Sequence, residues 1–298
     1  MSRIQDILSK AERDGTTRRT RGLSDTGVMA PPVAIGTPPR AKDRPAPPVA
    51  DLEGWIPPVA SPSAVRPEQT VTGVLDPHLV AAHAPQSLIA EQYRSLRTRI
   101  KSAENGRAVR AIVITSPNKG DGKSLTAANL ALTMAQEFQQ RVLLIDADFR
   151  RPSVHTLFGV TEEPGLTDVL MGAVELDQAL VHVEPHHLTL LPSGRIPTHP
   201  AELLGSAAMR RVLDTLRTRY DRILIDMPPV APLADLHIVA PMADALLMIV
   251  RAGVTPRPAI ERALAGLEVS RVLGLVLNES AGNTSDAETY HDYGYLAG

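Results

Sequence analysis

An α/β architecture, a doubly wound and mainly parallel sheet with helices on both faces, is what the sequence predicts, and three observations predict it. Short, continuous aliphatic runs recur from Ala108 onward, helical segments lie between them, and glycine-bearing turns join the two. Strands that are apolar on both faces need cover on both faces, and helical crossovers supply it.

The aliphatic runs occupy residues 111–115, 142–146, 188–191, 223–226, 245–250 and 272–277. Helices are expected from Ser124 to about Gln139, over 200–219 and over 256–269. No repeat at solenoid periods is present. Near the N-terminus a helix over residues 3–13 would align Ile4, Ile7, Leu8 and Ala11, although a helix this short is marginal by itself in water.

Proline punctuation divides the chain. Eleven of its 26 prolines fall within positions 31–67 among Ala, Val, Ser and Thr, so that stretch can neither run as a helix nor donate a full sheet ladder. The expected organisation is a short amphipathic helix over 1–14, a disordered linker over 15–75, one folded domain over 76–279 and a flexible tail over 280–298. The domain is long enough to bury a substantial core.

A formal net charge of -2 argues against a general nucleic-acid binder. Arg18, Arg19, Arg21, Arg40, Lys42 and Arg44 are basic, but they are spread through proline-rich sequence without interleaved aromatics and read as a solvated tail. The chain has no cysteine, which excludes disulfides and thiolate metal sites. No apolar run approaches the ~20 residues that span a bilayer, and no signal-peptide core is visible, so a cytoplasmic protein is expected.

The segment Ser116-Pro-Asn-Lys-Gly-Asp-Gly-Lys-Ser124 stands between the first strand and the helix that follows. Gly120 and Gly122 permit close backbone approach, so successive amides, from Lys119, Gly120, Asp121 and Gly122 through Lys123, Ser124 and Leu125, can face phosphate oxygens at a helix N-terminus. Lys123 would reach the β and γ phosphates of ATP, and the Ser124 hydroxyl would ligate Mg2+. Pro117 occupies the position of the first glycine of the usual pattern, while the Gly-Lys-Ser core is intact. These features make the fold a P-loop nucleotide-binding type.

Two other strand ends carry acids, Asp146 with Asp148 after the second run and Asp226 at the end of the fourth. Ligands in such folds bind beyond the carboxyl ends of the strands. Three acids there would repel one another without a cation, and a Mg2+ held by Ser124, Asp146 and Asp226 would offset the repulsion. Any one of these aspartates taken singly reads as a cap or turn residue.

Together these residues resemble the bacterial tyrosine kinases of exopolysaccharide and capsule synthesis, relatives of the partition and septum-site P-loop ATPases. The resemblance covers about residues 86–298. Residues 120–124, 143–152 and 223–229 are similar to the family's three nucleotide motifs. It implies ATP and Mg2+ as cofactors, and catalysis by Lys123, Asp146, Asp148 and Asp226, with Asp148 favoured over Asp146 as the base for the tyrosine hydroxyl. Glu91-Gln-Tyr-Arg-Ser-Leu-Arg97 matches the family's Glu-x-x-Arg-x-x-Arg motif, which implies that Glu91, Arg94 and Arg97 make oligomer contacts; from spacing alone they form one solvated helix face with local ion pairs. Asn278, ending a strand, resembles a position near the adenine in related ATPases, and an ordinary turn asparagine is the competing reading. Asn118 stands where partition-type relatives carry a signature lysine, which disfavours that branch, and Lys119 fills a slot where the kinases often have proline.

The resemblance further implies a homo-oligomeric ring acting in trans, a separate membrane protein that activates the kinase and regulates polymer chain length, a cognate tyrosine phosphatase, and peripheral recruitment to the inner face of the membrane. Residues 165–170, 191–194 and 200–204 also read like family sequence, without an independent chemical role.

Three of the five tyrosines, Tyr290, Tyr293 and Tyr295, lie in the last nine residues, in a polar, glycine-containing setting. They read as autophosphorylation sites, with anchoring of the C-terminus on the domain as the alternative. Two rival functions stay open at this point: a partition-type ATPase switch, and a nucleotide-binding accessory protein of polysaccharide export without kinase activity. His182, His186 and His187 cluster near a strand, but their spacing suits no standard metal site. Trp55, alone in the linker, reads either as a docking anchor or as a residue without a role.

Overall fold

The computed structural model describes residues 69–71, 74–104, 106–137, 140–230, 235–268 and 271–280. The expected helix over 1–14, most of the linker and the tail with Tyr290, Tyr293 and Tyr295 lie outside them.

The described chain runs β1 (Gln69–Val71), α1 (Val80–His83), α2 (Leu88–Ala103), β2 (Ala111–Thr115), α3 (Lys123–Ala135), β3 (Val142–Asp146), α4 (Val154–Phe158), α5 (Leu166–Leu170), α6 (Leu176–Ala179), β4 (Val181–Val183) and β5 (Leu188–Leu191). It continues through α7 (Pro200–Leu204), α8 (Ala207–Arg219), β6 (Arg222–Asp226), α9 (Asp235–Val239), a 3-10 turn (Ala240–Met242), β7 (Ala245–Arg251), α10 (Arg257–Ala265) and β8 (Val272–Asn278). The strands form one sheet in the order β1-β4-β5-β3-β6-β2-β7-β8, parallel throughout except for the antiparallel β4–β5 pair.

Alternation along the strands divides the core in two. Ala111, Val113, Leu143, Ile145, Ile223 and Ile225 face one layer, which is covered by Met209, Leu213 and Leu216 of α8 and Ile260 and Leu264 of α10. Ile112, Ile114, Val142, Leu144, Leu224 and Leu247 face the other, covered by Ala127, Leu130, Ala131 and Met134 of α3 and Val154 and Phe158 of α4. Burial on both faces is why these strands carry no polar alternation.

Some expectations are corrected. The segment read as linker up to residue 75 contains β1, whose Gln69, Thr70 and Val71 pair with Val181, His182 and Val183. The helix expected over 200–219 is two helices, because Ser206 takes an extended conformation and its side chain accepts a hydrogen bond from Met209 N at 3.2 Å, capping α8 as a new helix. His182, expected only as part of a loose histidine cluster, bonds the Thr189 hydroxyl across the β4–β5 pair at 3.0 Å.

The strand order fixes where a ligand belongs. β3 lies to one side of β2 and β7 to the other, and β6 fills the gap between β2 and β3. The chain therefore diverges beyond the carboxyl ends of β2, β6 and β3, and a crevice at such a reversal is the binding position of doubly wound folds.

Leu132, fully buried in α3, anchors the helix that the glycine turn opens. Leu132→Ala should lower unfolding stability by about 2–5 kcal/mol in urea titrations, and a change below about 1 kcal/mol would contradict its assignment to a tightly packed layer.

Candidate active site

Three strand ends build the site. β2 is followed by residues 116–122, which lead directly into α3. Gly122 precedes that helix with φ +90° and Gly120 has φ +86°, a left-handed conformation that suits glycine. A Cβ at Gly122 would lie 2.1 Å from the Asn278 side-chain nitrogen, so this position requires glycine for space as well. The first helical bond of α3 runs from Thr126 N to Gly122 O, which leaves the amides of Lys123, Ser124 and Leu125 without an intrahelical partner, and Gly122 supplies no side-chain cap. These amides form an anion-facing helix N-terminus.

β3 and β6 are adjacent and in register, with Asp146 paired to Asp226. Both carboxylates are fully buried, and Asp148 is 3 % exposed. One Asp146 oxygen accepts the Asp148 amide at 3.1 Å and the other accepts the Ser153 and Val154 amides at 2.9 Å each. Asp148 accepts the Arg151 amide on one oxygen at 3.1 Å and turns the other toward Lys123.

Lys123 brings the strand ends together. Its ammonium lies 2.9 Å from an Asp148 oxygen, 3.4 Å from both Asp226 oxygens and 3.0 Å from the Ser124 hydroxyl. Burial pushes Asp146 up to about 7, with the neighbouring Asp226 charge acting in the same sense against the bonds from Val154 and Ser153. Burial likewise raises Asp226, although Lys123 and Ser124 hold it down in part. For Lys123, burial works to lower the ammonium, and the Asp226 and Asp148 carboxylates overcome it, leaving the group above its ordinary value.

These residues fit a magnesium–nucleotide group. The donor set of one hydroxyl and three carboxylates is made of hard oxygens, and the uncapped amides of α3 adjoin it. Mg2+ in phosphate sites takes only one or two carboxylates and fills the rest of its shell with phosphate and water, so a dedicated cage of acids is not required.

The remaining expected residues fall into two groups. Asp121 is buried, but its carboxylate accepts the Asn118 amide at 2.9 Å and the Thr255 hydroxyl at 2.7 Å, so only its backbone amide is left to face a phosphate. Asn278 donates its side-chain N–H to the Asp121 carbonyl at 3.0 Å, which makes it a support of the loop. Lys119 is exposed on the loop. In α2, Arg94 pairs with Glu91 at 2.6 Å and donates to the Pro85 carbonyl at 2.7 Å, whereas Arg97 donates to the Thr133 carbonyl of α3 at 2.6 Å.

Residues 165–170 and 191–194 prove to be one packing unit. Leu166 N and Thr167 N donate to the carbonyls of Pro192 and Ser193 at 2.8 and 2.9 Å, and a Cβ on Gly165 would stand 2.2 Å from Gly194 N. The glycines permit backbone contact beside the carboxyl end of β5. Thr255 is the site-supporting residue that sequence reasoning missed, since nothing in its local sequence marks it.

A cleft of about 1020 Å3 opens at the amino ends of the strands, on the side away from these acids, and is lined by Arg217, Asp244 and Arg271 among others. Arg217 is paired with Asp214 and Asp244, and Arg271 donates to the Ala243 carbonyl, so these guanidiniums are already engaged.

Comparison with known proteins places this geometry in context. The AAA domain family model matches residues 109–264. The tyrosine-protein kinase YwqD of Bacillus subtilis is 38% identical over 220 residues, covering 73% of this chain and 90% of that protein. The putative tyrosine-protein kinase EpsB of Ralstonia solanacearum is 36% identical over 220 residues, and the chain spans 28% of its length and 73% of its own. The solved kinase domain of Escherichia coli tyrosine kinase ETK superposes with a TM-score of 0.65 at 27% identity, covering 72% of this chain and 84% of that one.

The raised Asp146 value gives a prediction with a definite sign. Between its ordinary value of 3.8 and about 7 the folded state holds a proton that the unfolded state releases, so this group's contribution falls as pH rises through that window and levels off above it. Without nucleotide or Mg2+, wild type should lose a few kcal/mol between pH 5 and pH 8 that Asp146→Asn does not lose. Urea titrations of both proteins measure this, and parallel pH profiles would refute it.

Proposed function

The chain belongs to the bacterial tyrosine-protein kinase family of P-loop ATPases, and from that premise we propose that it uses MgATP to phosphorylate its own tyrosines Tyr290, Tyr293 and Tyr295 in the control of capsule or exopolysaccharide synthesis. The observation that carries the reading is the convergence of Lys123 on Asp148 and Asp226 beside the uncapped amides of α3.

The roles follow from the positions. The α3 amides and Lys123 would bind phosphate oxygens, with Lys123 giving up carboxylate partners for them. Ser124, Asp226 and Asp146 would hold Mg2+, whose charge would offset that of the phosphates. Asp146 is enclosed by three backbone amides and serves to orient, whereas Asp148 presents one oxygen to the ligand side and accepts the phenolic proton. The tyrosine oxygen forms a bond to the γ phosphorus as the bond from phosphorus to the ADP oxygen breaks. Positioning and charge balance supply most of the rate.

The tail has the reach this requires. Twelve peptide steps run from Asn278 to Tyr290, an extended span of at most about 40 Å, which would let the tail reach a neighbouring subunit's site and does not exclude its own. The reading includes a ring with contacts through Glu91, Arg94 and Arg97, a membrane-embedded activator in a separate chain, a phosphatase that resets the tail, and recruitment to the inner membrane face. No helix among the described residues is long and apolar enough to cross a membrane.

Incubation with MgATP followed by peptide mass spectrometry of residues 280–298 tests the activity. Wild type should acquire phosphotyrosine and Lys123→Met should acquire none while keeping its circular dichroism. ATP hydrolysis without phosphotyrosine would favour a nucleotide switch instead. Each phosphate adds about -1.5 to -2 charge, so the fully modified protein should show a lower subunit count in native mass spectrometry than the unmodified one at matched concentration; equal counts would end that part of the proposal.

A further inference from the structure

At the carboxyl end of the sheet the phosphate loop is also held from the β7–β8 flank of β2, across from the β6–β3 flank that carries the acids. Thr255 lies in the turn after β7. Its hydroxyl donates to an Asp121 oxygen at 2.7 Å and accepts the Arg251 amide at 3.0 Å, while its own amide donates to the Arg251 carbonyl at 2.9 Å. The hydroxyl thus has a fixed direction, with its proton committed to the carboxylate. The second Asp121 oxygen accepts the Asn118 amide at 2.9 Å, and the Ser116 hydroxyl donates to the Asn118 carbonyl at 2.7 Å. β8 joins the assembly, since Asn278 donates to the Asp121 carbonyl and its own carbonyl accepts the Ala252 amide at 2.9 Å.

We propose that Thr255 is a positioning residue for nucleotide binding, holding the buried Asp121 carboxylate so that the amides of the phosphate loop are set before the ligand arrives. A loop of residues 116–122 has few intrinsic constraints of its own, and two of its glycines enlarge its conformational range. Asp121 is 2 % exposed, and a buried carboxylate deprived of a donor either takes up a proton or reorients. Either change releases the peptide at Asn118, and the amides that face phosphate lose their common direction. Without the hydroxyl, loop ordering becomes part of the cost of binding.

This inference rests on the nucleotide-site reading above, and the test separates the two. Binding of a fluorescent ADP analogue with Mg2+ is measured by titration for wild type, Thr255→Val and Thr255→Ser, together with the thermal midpoint of each ligand-free protein. Valine keeps the shape and removes the hydroxyl, whereas serine keeps the hydroxyl. Thr255→Val should weaken binding by about tenfold, the scale expected for one hydrogen bond to a charged group, while its midpoint falls by no more than a few degrees and it stays folded at the assay temperature. Thr255→Ser should stay within about threefold of wild type. In the kinase assay the Thr255→Val defect should appear chiefly in KM for ATP rather than in kcat.

Wild-type affinity in Thr255→Val, equal losses in the valine and serine variants, or a valine variant that loses its fold would each overturn the assignment of a positioning role. Failure of wild type to bind the analogue would instead sink the nucleotide-site reading.

Discussion

The structure depends on burying three carboxylates at neighbouring strand ends around one ammonium. Asp146 and Asp226 face each other as register partners, Asp148 follows two residues later, and Lys123 reaches across from the start of α3. A buried like-charge pair is unfavourable unless it gains a proton, a cation or several donors. Asp146 has its donors in three backbone amides, Asp226 has Lys123 and Ser124, and Asp148 has Lys123 and the Arg151 amide. The arrangement leaves the acids short of positive charge. A divalent cation held there with phosphate would correct that shortage and would leave Lys123 available to the anion, so ligand binding and charge relief would be one event.

How much of this was legible in the sequence depends on whether a residue's role is local. The runs that became β2, β3, β6 and β7 were readable because central parallel strands are apolar on both faces, and Asp146 and Asp226 were readable because each closes such a run. The glycine turn between strand and helix carried its own signal. By contrast, β4 is three residues long, with a histidine at its centre that bonds across the hairpin, so its pairing rather than its pattern makes it a strand. Ser206 divides an apparently continuous helical stretch, because its cap to Met209 competes with continuing the preceding helix. Thr255 bonds a carboxylate 134 positions away, and no spacing rule reaches that far.

The family motif on α2 acquires a second meaning from its surroundings. Arg97 donates to the carbonyl of Thr133 in the last turn of α3, where a cation is favoured by the helix dipole and an unsatisfied carbonyl needs a donor. Arg94 and Glu91 satisfy each other on the same helix. A partner that recruits Arg97 must therefore offer a better acceptor than this carbonyl, and doing so releases the far end of the helix that begins with Lys123. Under the proposal that α2 mediates oligomer contacts, those contacts and the phosphate site would be joined through one rigid element, α3.

That element is held at three places by unrelated means. Hydrophobic burial fixes its middle through Leu130, Ala131 and Met134, Arg97 holds its C-terminal carbonyl, and Thr255 acting through Asp121 fixes the loop that opens it. The same assembly reaches the chain beyond β8, since Asn278 bonds the phosphate loop and Glu279 pairs with Arg251 at 2.7 Å. The root of the tyrosine-bearing segment is consequently anchored at the phosphate loop itself. Residues 278 and 279 share a hydrogen bond and an ion pair with that loop and its supports, so the geometry at the start of the C-terminal segment answers to the geometry of the loop proposed to hold nucleotide.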